Sequence, residues 1–588
     1  MISPFQFYSH EIPSDEIRLV RKIGEGSFGT VWKGTCFQKE VAIKIPHVQI
    51  NCDATLSNLR SEIEIMSSMP HPNICLFMGA CTLPGNVKIV TELMDGDLAS
   101  LLESDEHLTL YERMKMAKDA ALGMTWLHFS TPTIIHRDLK TANLLVLSFC
   151  FLAFSLSFTH YLFSISLFYL CFFCILSVQQ ISKVQNQYKV KLCDFGLAQI
   201  KPRHRMFLRD KTNAAKGTPL WMAPEVLQGK DFNEKSDVYS FGLVLWEILT
   251  REEPFSNHFD FDGFVRAVCI DHERPPLPPD CPALLGELME ACWHPDPLQR
   301  PNFQEISHQL DLIVIHAAIA DEHGRRFWAK RFLRQEQVEG TLFFKALYSF
   351  LGLQMPLDVK PSGLLSKPLQ TNQFGLEASG GEEQHSSNIS TPSAREKERK
   401  EDTFTAQPQQ QHHEEDEVIQ LRCLKALLLT KDPKSGKKTV NIERFGKVLH
   451  WFGPLMPGSG SGATFLESVC EILSKEWFHG DIETAEAQRR LSGQAQGCYL
   501  VRFSNNPLTP GCYTISRVAA DDHIVHMRVT HQPGVGFSVN GERCYASLDE
   551  LIYALSGPLK LKSPCAGSQY SQLFGTSQML AGYQTLAT

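Results

Sequence analysis

Gly24, Gly26 and Gly29 in G-E-G-S-F-G stand where a backbone can lie against phosphate oxygens with no Cβ in the way. Alone this is weak. A dinucleotide fold carries the same pattern but needs a helix directly after it, whereas here V-W-K-G continues as a strand and E-V-A-I-K returns, which favours a flap over phosphates. Lys44 lies twenty residues beyond Gly24 on the returning strand. Glu62 falls on the next helical stretch, where its carboxylate can pair with the Lys44 ammonium and aim it at the α and β phosphates. Taken singly, a surface lysine and a solvated helix glutamate are the plainer readings. They are not single: H-R-D-L-K-T-A-N (136–143), D-F-G (194–196), G-T-P-L-W-M-A-P-E (217–225), D-V-Y-S-F-G from Asp237, and Arg300 in Q-R-P-N-F follow in order.

The elements that must hold these residues run from small strands to larger helices. Residues 17–45 alternate apolar and polar positions, with a helical stretch at 55–69, the strand K-I-V-T-E-L, a helical region through Leu127, and further helices ending near Ala317. The ordered motif set resembles the eukaryotic protein kinases over about residues 17–316. That resemblance implies a bilobal fold using ATP and Mg2+. By it, Asp138 orients the substrate hydroxyl and accepts its proton, Lys140 neutralises charge on the moving γ-phosphoryl, and Asn143 and Asp194 give oxygens to magnesium. It also implies an ATP site from Gly24, Glu25, Gly26, Ser27, Phe28, Gly29, Val31, Ala42, Lys44, Thr91, Glu92 and Met94, with Thr91 as the small residue guarding the back of the adenine pocket. Arg137 is expected to meet a phosphate on the activation segment, for which Thr212 and Thr218 are candidates; Thr218 has the alternative of hydrogen-bonding Asp138. Glu225 and Arg300 read as a buried structural ion pair. H-R-D-L-K and G-T-x-x-W-M-A-P-E resemble serine/threonine kinases, while H-P-N-I-C-L-F-M-G-A-C-T and C-W-H-P-D-P-L-Q-R-P-N-F resemble the tyrosine-kinase-like group. Serine/threonine transfer is the main reading, and no residue decides whether tyrosine is used in addition.

The chain has 588 residues, 43% of them apolar and 21% charged, enough to bury several cores and to exclude wholesale disorder. A formal charge of -8 provides no basic field, so nucleic acid is not an expected partner. The 17 cysteines show no repeating spacing, and C-x-x-C at Cys171 and Cys174 has no second pair, so reduced thiols in a cytoplasmic protein are expected. The N-terminus lacks a secretory pattern. Residues 361–416 are rich in Ser, Gln, Glu, Pro and Lys and read as a disordered linker between helical connectors at 317–360 and 417–475. Asp432 and Glu443 are spaced like the ends of a calcium loop, but Lys434 and Gly436 occupy ligand positions between them, so calcium is not expected.

A second constellation begins at W-F-H-G and continues in G-C-Y-L-V-R-F-S, whose strand places Leu500, Arg502 and Ser504 on one face. Residues 477–556 resemble an α+β Src-homology 2 (SH2) domain, followed by a loose tail at 557–588. The resemblance implies that Arg502 reads phosphotyrosine by a bidentate, charge-assisted contact, with Ser504 as a further donor and His526 and Arg528 walling ring and phosphate. Thr484 departs from the family, many members of which carry an Arg there. The whole order resembles the amoebozoan Shk family of SH2-bearing kinases. It implies tethering to phosphotyrosine-containing proteins in signalling, phosphorylation of nearby protein substrates, and membrane contact only by recruitment. A clamp of the SH2 domain on its own kinase is the other arrangement.

Asn143 and Asp194 are 51 positions apart although both must reach one magnesium. Between Thr141 and Ser182 there is no Asp, Glu, Lys, Arg, Gly or Pro, and residues 147–180 are apolar enough to span a bilayer. A single crossing would part the two ligands, and two crossings need about 40 apolar residues plus a turn. Residues 147–180 therefore read as retained intron sequence, their Phe, Leu, Ser, Cys and Tyr all having thymine-rich codons. Were the segment truly present, the catalytic hairpin is expected to break and leave a phosphotyrosine-binding scaffold. A membrane-anchored receptor is the weakest reading, since the run interrupts a domain.

Overall fold

The computed structural model describes residues 11–26, 29–47, 63, 65–83, 85–149, 187–201, 206–208, 218–258, 260–356, 408–432, 435–456, 464–504, 511–532, 535–539, 541 and 543–574. They fall into two compact units, Met1–Glu336 and Gln337–Thr588.

In the first unit β1 (Ile17–Gly26), β2 (Gly29–Cys36), β3 (Lys39–Pro46), β4 (Phe77–Cys81) and β5 (Lys88–Glu92) form an antiparallel sheet in the order β1-β2-β3-β5-β4. Val41, Ile43, Cys81 and Val90 are fully buried on it, the core face of the period-two alternation. Strand β6 (Gly96–Asp97) leads into α1 (Leu98–Glu103), which Asp97 caps by accepting from Ser100 N at 2.8 Å. Helix α2 (Leu110–Phe129) starts in a capping box in which Thr109 and Glu112 satisfy each other's free amides. Strand β7 (Thr133–Ile135) carries the chain to the catalytic segment, and β8 (Leu144–Phe149) returns against β9 (Gln187–Leu192), after which β10 (Gln199–Lys201) pairs β7. Helices α3 (Pro224–Leu227), α4 (Lys235–Thr250), α5 (Phe261–Cys269), α6 (Ala283–Cys292), α7 (Phe303–Ala318) and α8 (Glu322–Phe332) complete the unit. Helix α4 is buried from Ser236 to Ile248 on every side, which makes it a rigid post in the lobe.

The β8–β9 hairpin corrects one expectation. With the long insertion present in the chain, Leu144 pairs Leu192 and the ladder runs out to Phe149 opposite Gln187, three residues inside the segment read as foreign. The hairpin is intact, so the inference that a retained insertion would break it does not hold. A loop inserted at the tip of a hairpin adds closure entropy that grows only logarithmically with length and leaves the ladder below it untouched. Residues 150–186 themselves lie outside the described residues. Among the described residues no helix is long and apolar enough to cross a membrane.

In the second unit β11 (Gln337–Glu339) and α9 (Gly340–Leu351) precede the Ser/Gln-rich segment, and α10 (Pro408–Leu428) follows it. The helix begins inside the residues read as disordered. Proline suits a first helical turn, and the Gln and Glu that lowered the hydropathy of 408–416 are good helix formers once an apolar helix is there to extend. Leu421, Leu424 and Leu428 are buried, as their helical spacing predicts. Strands β12 (Leu429–Lys431) and β13 (Lys438–Asn441) close a small sheet of order β11-β13-β12, so the two flanks of the Ser/Gln-rich segment meet. Asp432 spends its carboxylate on the turn, accepting from Ser435 N at 3.1 Å. Helix α11 (Ile442–Phe452) sets Phe445 against Phe343 of α9 with ring centroids 5.2 Å apart, and α12 (Phe465–Leu473) packs beside α10.

The remaining sheet has the order β14-β15-β16-β17-β18-β19, with β14 (Phe478–Gly480), β15 (Cys498–Phe503), β16 (Tyr513–Val518), β17 (Ile524–Gln532), β18 (Gly536–Val539) and β19 (Arg543–Tyr545). Helix α13 (Thr484–Leu491) lies between β14 and β15, and α14 (Leu548–Ser556) follows β19. The expectation of a loose tail from 557 is corrected as far as Phe574: β20 (Ser563–Pro564) adds to β15 in parallel, and the Tyr570 ring stacks on Phe478 at 5.7 Å. Single anchors among Gly, Ser and Pro have no periodicity to read, yet Cys565 and Tyr570 are buried.

Candidate active site

Strands β1 and β2 pair through Gly24↔Val31, Glu25↔Thr30 and Gly26↔Gly29, and Ser27 and Phe28 lie outside the described residues. A Cβ on Gly24 would meet Val31 at 3.8 Å and one on Gly26 would meet nothing within 4 Å, whereas one on Gly29 would lie 2.4 Å from Ile45 O. The packing of the strands therefore requires only the third glycine and leaves the first two to a ligand. Gly26→Ala is expected to leave the melting temperature in place while raising KM for ATP; Gly29→Ala is expected to cost about 1–3 kcal/mol of stability. Thermal melts beside ATP titrations separate the two.

Lys44 stands on β3 opposite Val31 and Ile89, and its Nζ is 2.7 Å from Asp194 Oδ1. Burial alone would raise the Asp194 carboxyl, but the charge and hydrogen bond of Lys44, the Gly196 amide and His136 outweigh it and hold the group below its usual range. Asp194 is thus held as an anion. Glu62 lies outside the described residues.

Asp194 and Arg137 have φ of 60° and 72°, in the left-handed region that non-glycine residues occupy at a cost. What holds Arg137 there is Asp237 on α4. Its two carboxylate oxygens accept the His136 and Arg137 amides, each at 2.8 Å, and Oδ2 also lies 2.8 Å from His128 Nε2. Desolvation would raise this fully buried carboxyl; the His128 bond and charge, helped by His136 and the Arg137 amide, keep it ionised. His136 Nε2 in turn lies 3.0 Å from Cys193 O, one residue before Asp194. Asp237 was visible in sequence only as part of a motif; its role as the clamp of the catalytic turn needed the fold.

Around Asp138, the Asn143 amide donates to its main-chain oxygen at 2.7 Å and to Oδ2 at 2.9 Å, while Thr218 N and Oγ1 both lie 3.2 Å from Oδ1. Lys140 Nζ donates to Thr218 Oγ1 at 2.5 Å and sits 3.8 Å from Asp138 Oδ2. Of the two roles open to Thr218, the geometry supplies the bond to Asp138; Thr212 lies outside the described residues. Cys193 N donates to Asn143 O at 3.0 Å, so Asn143 meets the residue before Asp194 despite their separation in sequence.

At the rim of the cleft, Ala42 pairs Thr91 across β3 and β5, and Met94 is buried. The Glu92 carboxylate is bound by Lys191 Nζ at 2.7 and 2.8 Å, which leaves only its main chain for a nucleotide. Thr91→Met is expected to weaken an inhibitor that reaches behind the adenine pocket far more than it weakens ATP, as parallel binding titrations will read. Arg137 lies over the Phe232 ring at 5.0 Å. Glu225 and Arg300 form the expected buried ion pair, bidentate at 2.7 and 3.0 Å.

The second constellation assembles on β15, β16 and β17, where Arg502, Thr514 and Arg528 stand directly opposite one another and share a face. Arg502 is buried, with Nη2 donating to Thr484 Oγ1 at 2.8 Å and Nη1 meeting Ile482 O at 3.4 Å and Phe503 O at 3.3 Å. Its Nε has no partner, and among the described residues no carboxylate pairs with it. Burial lowers its pKa with nothing opposing. Thr484, the departure from the family pattern, thus serves to orient Arg502. His526 Nδ1 lies 2.8 Å from Ser516 Oγ, and burial followed by the Arg502 charge keeps its imidazole neutral. Ser504 is buried at the end of β15 and Arg528 is exposed.

His479 on β14 is fully buried, its Nε2 donating to Cys565 O at 2.9 Å and its Nδ1 accepting from Arg490 at 2.7 Å. Burial, with Arg490 beside it, pushes the imidazole below 6.5 against the pull of the Cys565 carbonyl and Glu486. The unfolded chain therefore binds this proton first. Stability present above about pH 6.5 is lost as the pH falls toward the folded pKa. The protection factors of β14 and β15 amides, exchange rates taken relative to the intrinsic rate at each pH, are expected to fall between about pH 7 and pH 5, and His479→Gln is expected to flatten that slope.

A small antiparallel sheet over a helical lobe, with Lys44–Asp194 and the Asp138, Asn143, Lys140 and Thr218 cluster at the junction, is the architecture of a phosphotransferase acting on proteins. The family model for protein tyrosine and serine/threonine kinases matches residues 17–310, and that for the SH2 domain matches residues 477–555. The chain belongs to the protein kinases that carry an SH2 domain. It is 42% identical over 570 residues to the dual specificity protein kinase shkC of Dictyostelium discoideum, covering 95% of this chain and 93% of that one. It is 39% identical over 577 residues to shkA of the same organism, covering 97% and 92%. The serine/threonine-protein kinase CTR1 of Arabidopsis thaliana is 38% identical over 52% of this chain and 32% of its own length.

Proposed function

We propose that this kinase uses ATP and Mg2+ to phosphorylate serine and threonine of protein substrates, and tyrosine in addition, and is brought to them by an SH2 domain that binds phosphotyrosine. The observation that carries the reading is the cluster around Asp138, whose carboxylate is oriented by Asn143 and Thr218 with Lys140 alongside. The attacking hydroxyl forms its bond to the γ-phosphorus as its proton passes to Asp138 and the bond from that phosphorus to the β–γ bridging oxygen breaks, ADP leaving with the electron pair, while Lys140 offsets the charge that moves with the phosphoryl group. Asn143 and Asp194 would hold Mg2+, whose contribution is to neutralise the phosphate oxygens. The names of the two Dictyostelium relatives favour tyrosine as a further acceptor. Arg502, with Ser504, His526 and Arg528, would take the phosphotyrosine, and that anion would supply a countercharge for the Arg502 guanidinium. Cytoplasmic residence with recruitment to membrane-associated phosphoproteins fits this reading.

We further propose that residues 147–180 are retained intron sequence absent from the working enzyme. Sequencing the mature transcript tests this directly; uniform retention sinks it. Magnesium-dependent phosphate transfer by the full chain and by the chain lacking 147–180, with phosphoamino-acid analysis of the product, tests the activity. Inactivity of both overturns the enzymatic reading.

A further inference from the structure

Arg502 sits one residue before Phe503 and two before Ser504, and Gly511 and Cys512 lead into β16 at Tyr513. Phe503 on one side, and Gly511, Cys512 and Tyr513 on the other, are held from outside the residues that the SH2 model matches. Helix α11, which ends at Phe452, stacks the Trp451 indole on the Phe503 ring with centroids 3.7 Å apart and planes 14° from parallel. The Trp451 Nε1 donates to Cys512 O at 3.3 Å, the same oxygen that accepts Ser504 N at 2.9 Å. Tyr513 Oη donates back to Trp451 O at 2.7 Å. Gly511, at φ 78°, lies so close that a Cβ there would be 2.0 Å from His450 Cδ2. At its other end the helix reaches the second wall of the pocket: Arg444 Nη1 pairs with Asp481 Oδ2 at 2.8 Å, next to Ile482 and three residues before Thr484, both of which hold the Arg502 guanidinium.

We propose that α11 completes the phosphotyrosine site, with Trp451 as its positioning residue, so that the phosphotyrosine-reading unit of this kinase includes the connector. This rests on the reading of Arg502 above. Phe503 and Arg502 are neighbours on one strand and point to opposite faces, so a ring clamped on one face fixes the backbone that aims the guanidinium on the other. The Trp451 stack, the edge contact of Phe452 on Phe503 at 5.9 Å and two hydrogen bonds, all made by one helical turn, leave the strand end little freedom to rotate.

The test is binding of O-phospho-L-tyrosine to the full chain, followed by competition and by tryptophan emission. Trp451→Ala is expected to weaken binding about tenfold, from loss of an aromatic stack and a hydrogen bond together. Trp451→Phe keeps a ring on Phe503 and loses only the indole donor, and Tyr513→Phe loses only its bond to Trp451; each is expected to cost about two- to fivefold. A purely structural role would not give rescue by Phe at unchanged melting temperature. Nor would it give a phosphotyrosine-dependent emission change that disappears in Trp451→Phe while binding persists. Should Trp451→Ala fold poorly, Trp451→Phe and Tyr513→Phe decide. Affinities equal to that of the unaltered chain in both, beside an Arg502→Met that does not bind, overturn the inference alone. No binding by the unaltered chain overturns the reading of Arg502 and the inference with it.

Discussion

Asp138→Asn is expected to lower kcat for protein phosphorylation by roughly 10²- to 10⁴-fold with little change in KM for ATP. The substitution keeps size and shape. Thr218 N can still donate to the remaining oxygen, so the loop is expected to hold its form while the group that accepts the hydroxyl proton is gone. With the oxygen kept toward Thr218, the new amide nitrogen would face Asn143 Nδ2, which now donates to Asp138 Oδ2, and that small loss belongs to positioning. Steady-state phosphate incorporation against ATP concentration is the measurement. A variant that retains more than about a third of kcat would remove Asp138 from the proton-accepting role and, with it, the central assignment of the site.

Arg502→Lys is expected to weaken phosphotyrosine binding by roughly 30- to 1,000-fold, the consequence of replacing a planar fork by a point charge at a buried position. The same site predicts an opposite effect on stability. Arg502 is a buried cation without a carboxylate partner among the described residues, and its Nε makes no hydrogen bond, so its burial carries an unfavourable desolvation cost. Arg502→Met is therefore expected to abolish binding and to raise the melting temperature of the second unit, as replacements of costly buried charges by apolar side chains do. Calorimetry of binding and melting on the same samples reads both. A melting temperature that falls with loss of the guanidinium would mean that the arginine is a structural support and not a waiting ligand site.

Much of the candidate catalytic site was legible because phosphoryl transfer needs particular side-chain types, and those types occur in one order along the chain. Lys44, Asp138, Lys140, Asn143 and Asp194 could be assigned on that ground, and the structure brings Lys44 to Asp194 and Lys140, Asn143 and Thr218 to Asp138. Composition misled where it stood in for structure. The Gln- and Glu-rich residues before Val418 lowered the hydropathy enough to read as linker, yet α10 begins at Pro408 because helix propensity and hydropathy are different properties. The apolar run after Val146 suggested a broken hairpin, because a chain-length argument ignores that a tip insertion leaves the pairing beneath it alone.

The order of reactive side chains, the two modules and their chemistry were determined by sequence alone, since motif spacing carries them. Only the tertiary structure decided that Asp237 clamps the catalytic turn from 100 residues away, that Thr484 orients Arg502, and that a connector helix grips Phe503 and Cys512. Such roles are invisible in a one-dimensional pattern because a hydrogen bond or a ring stack is set by the distance between atoms, and that distance exists only after distant segments have packed together.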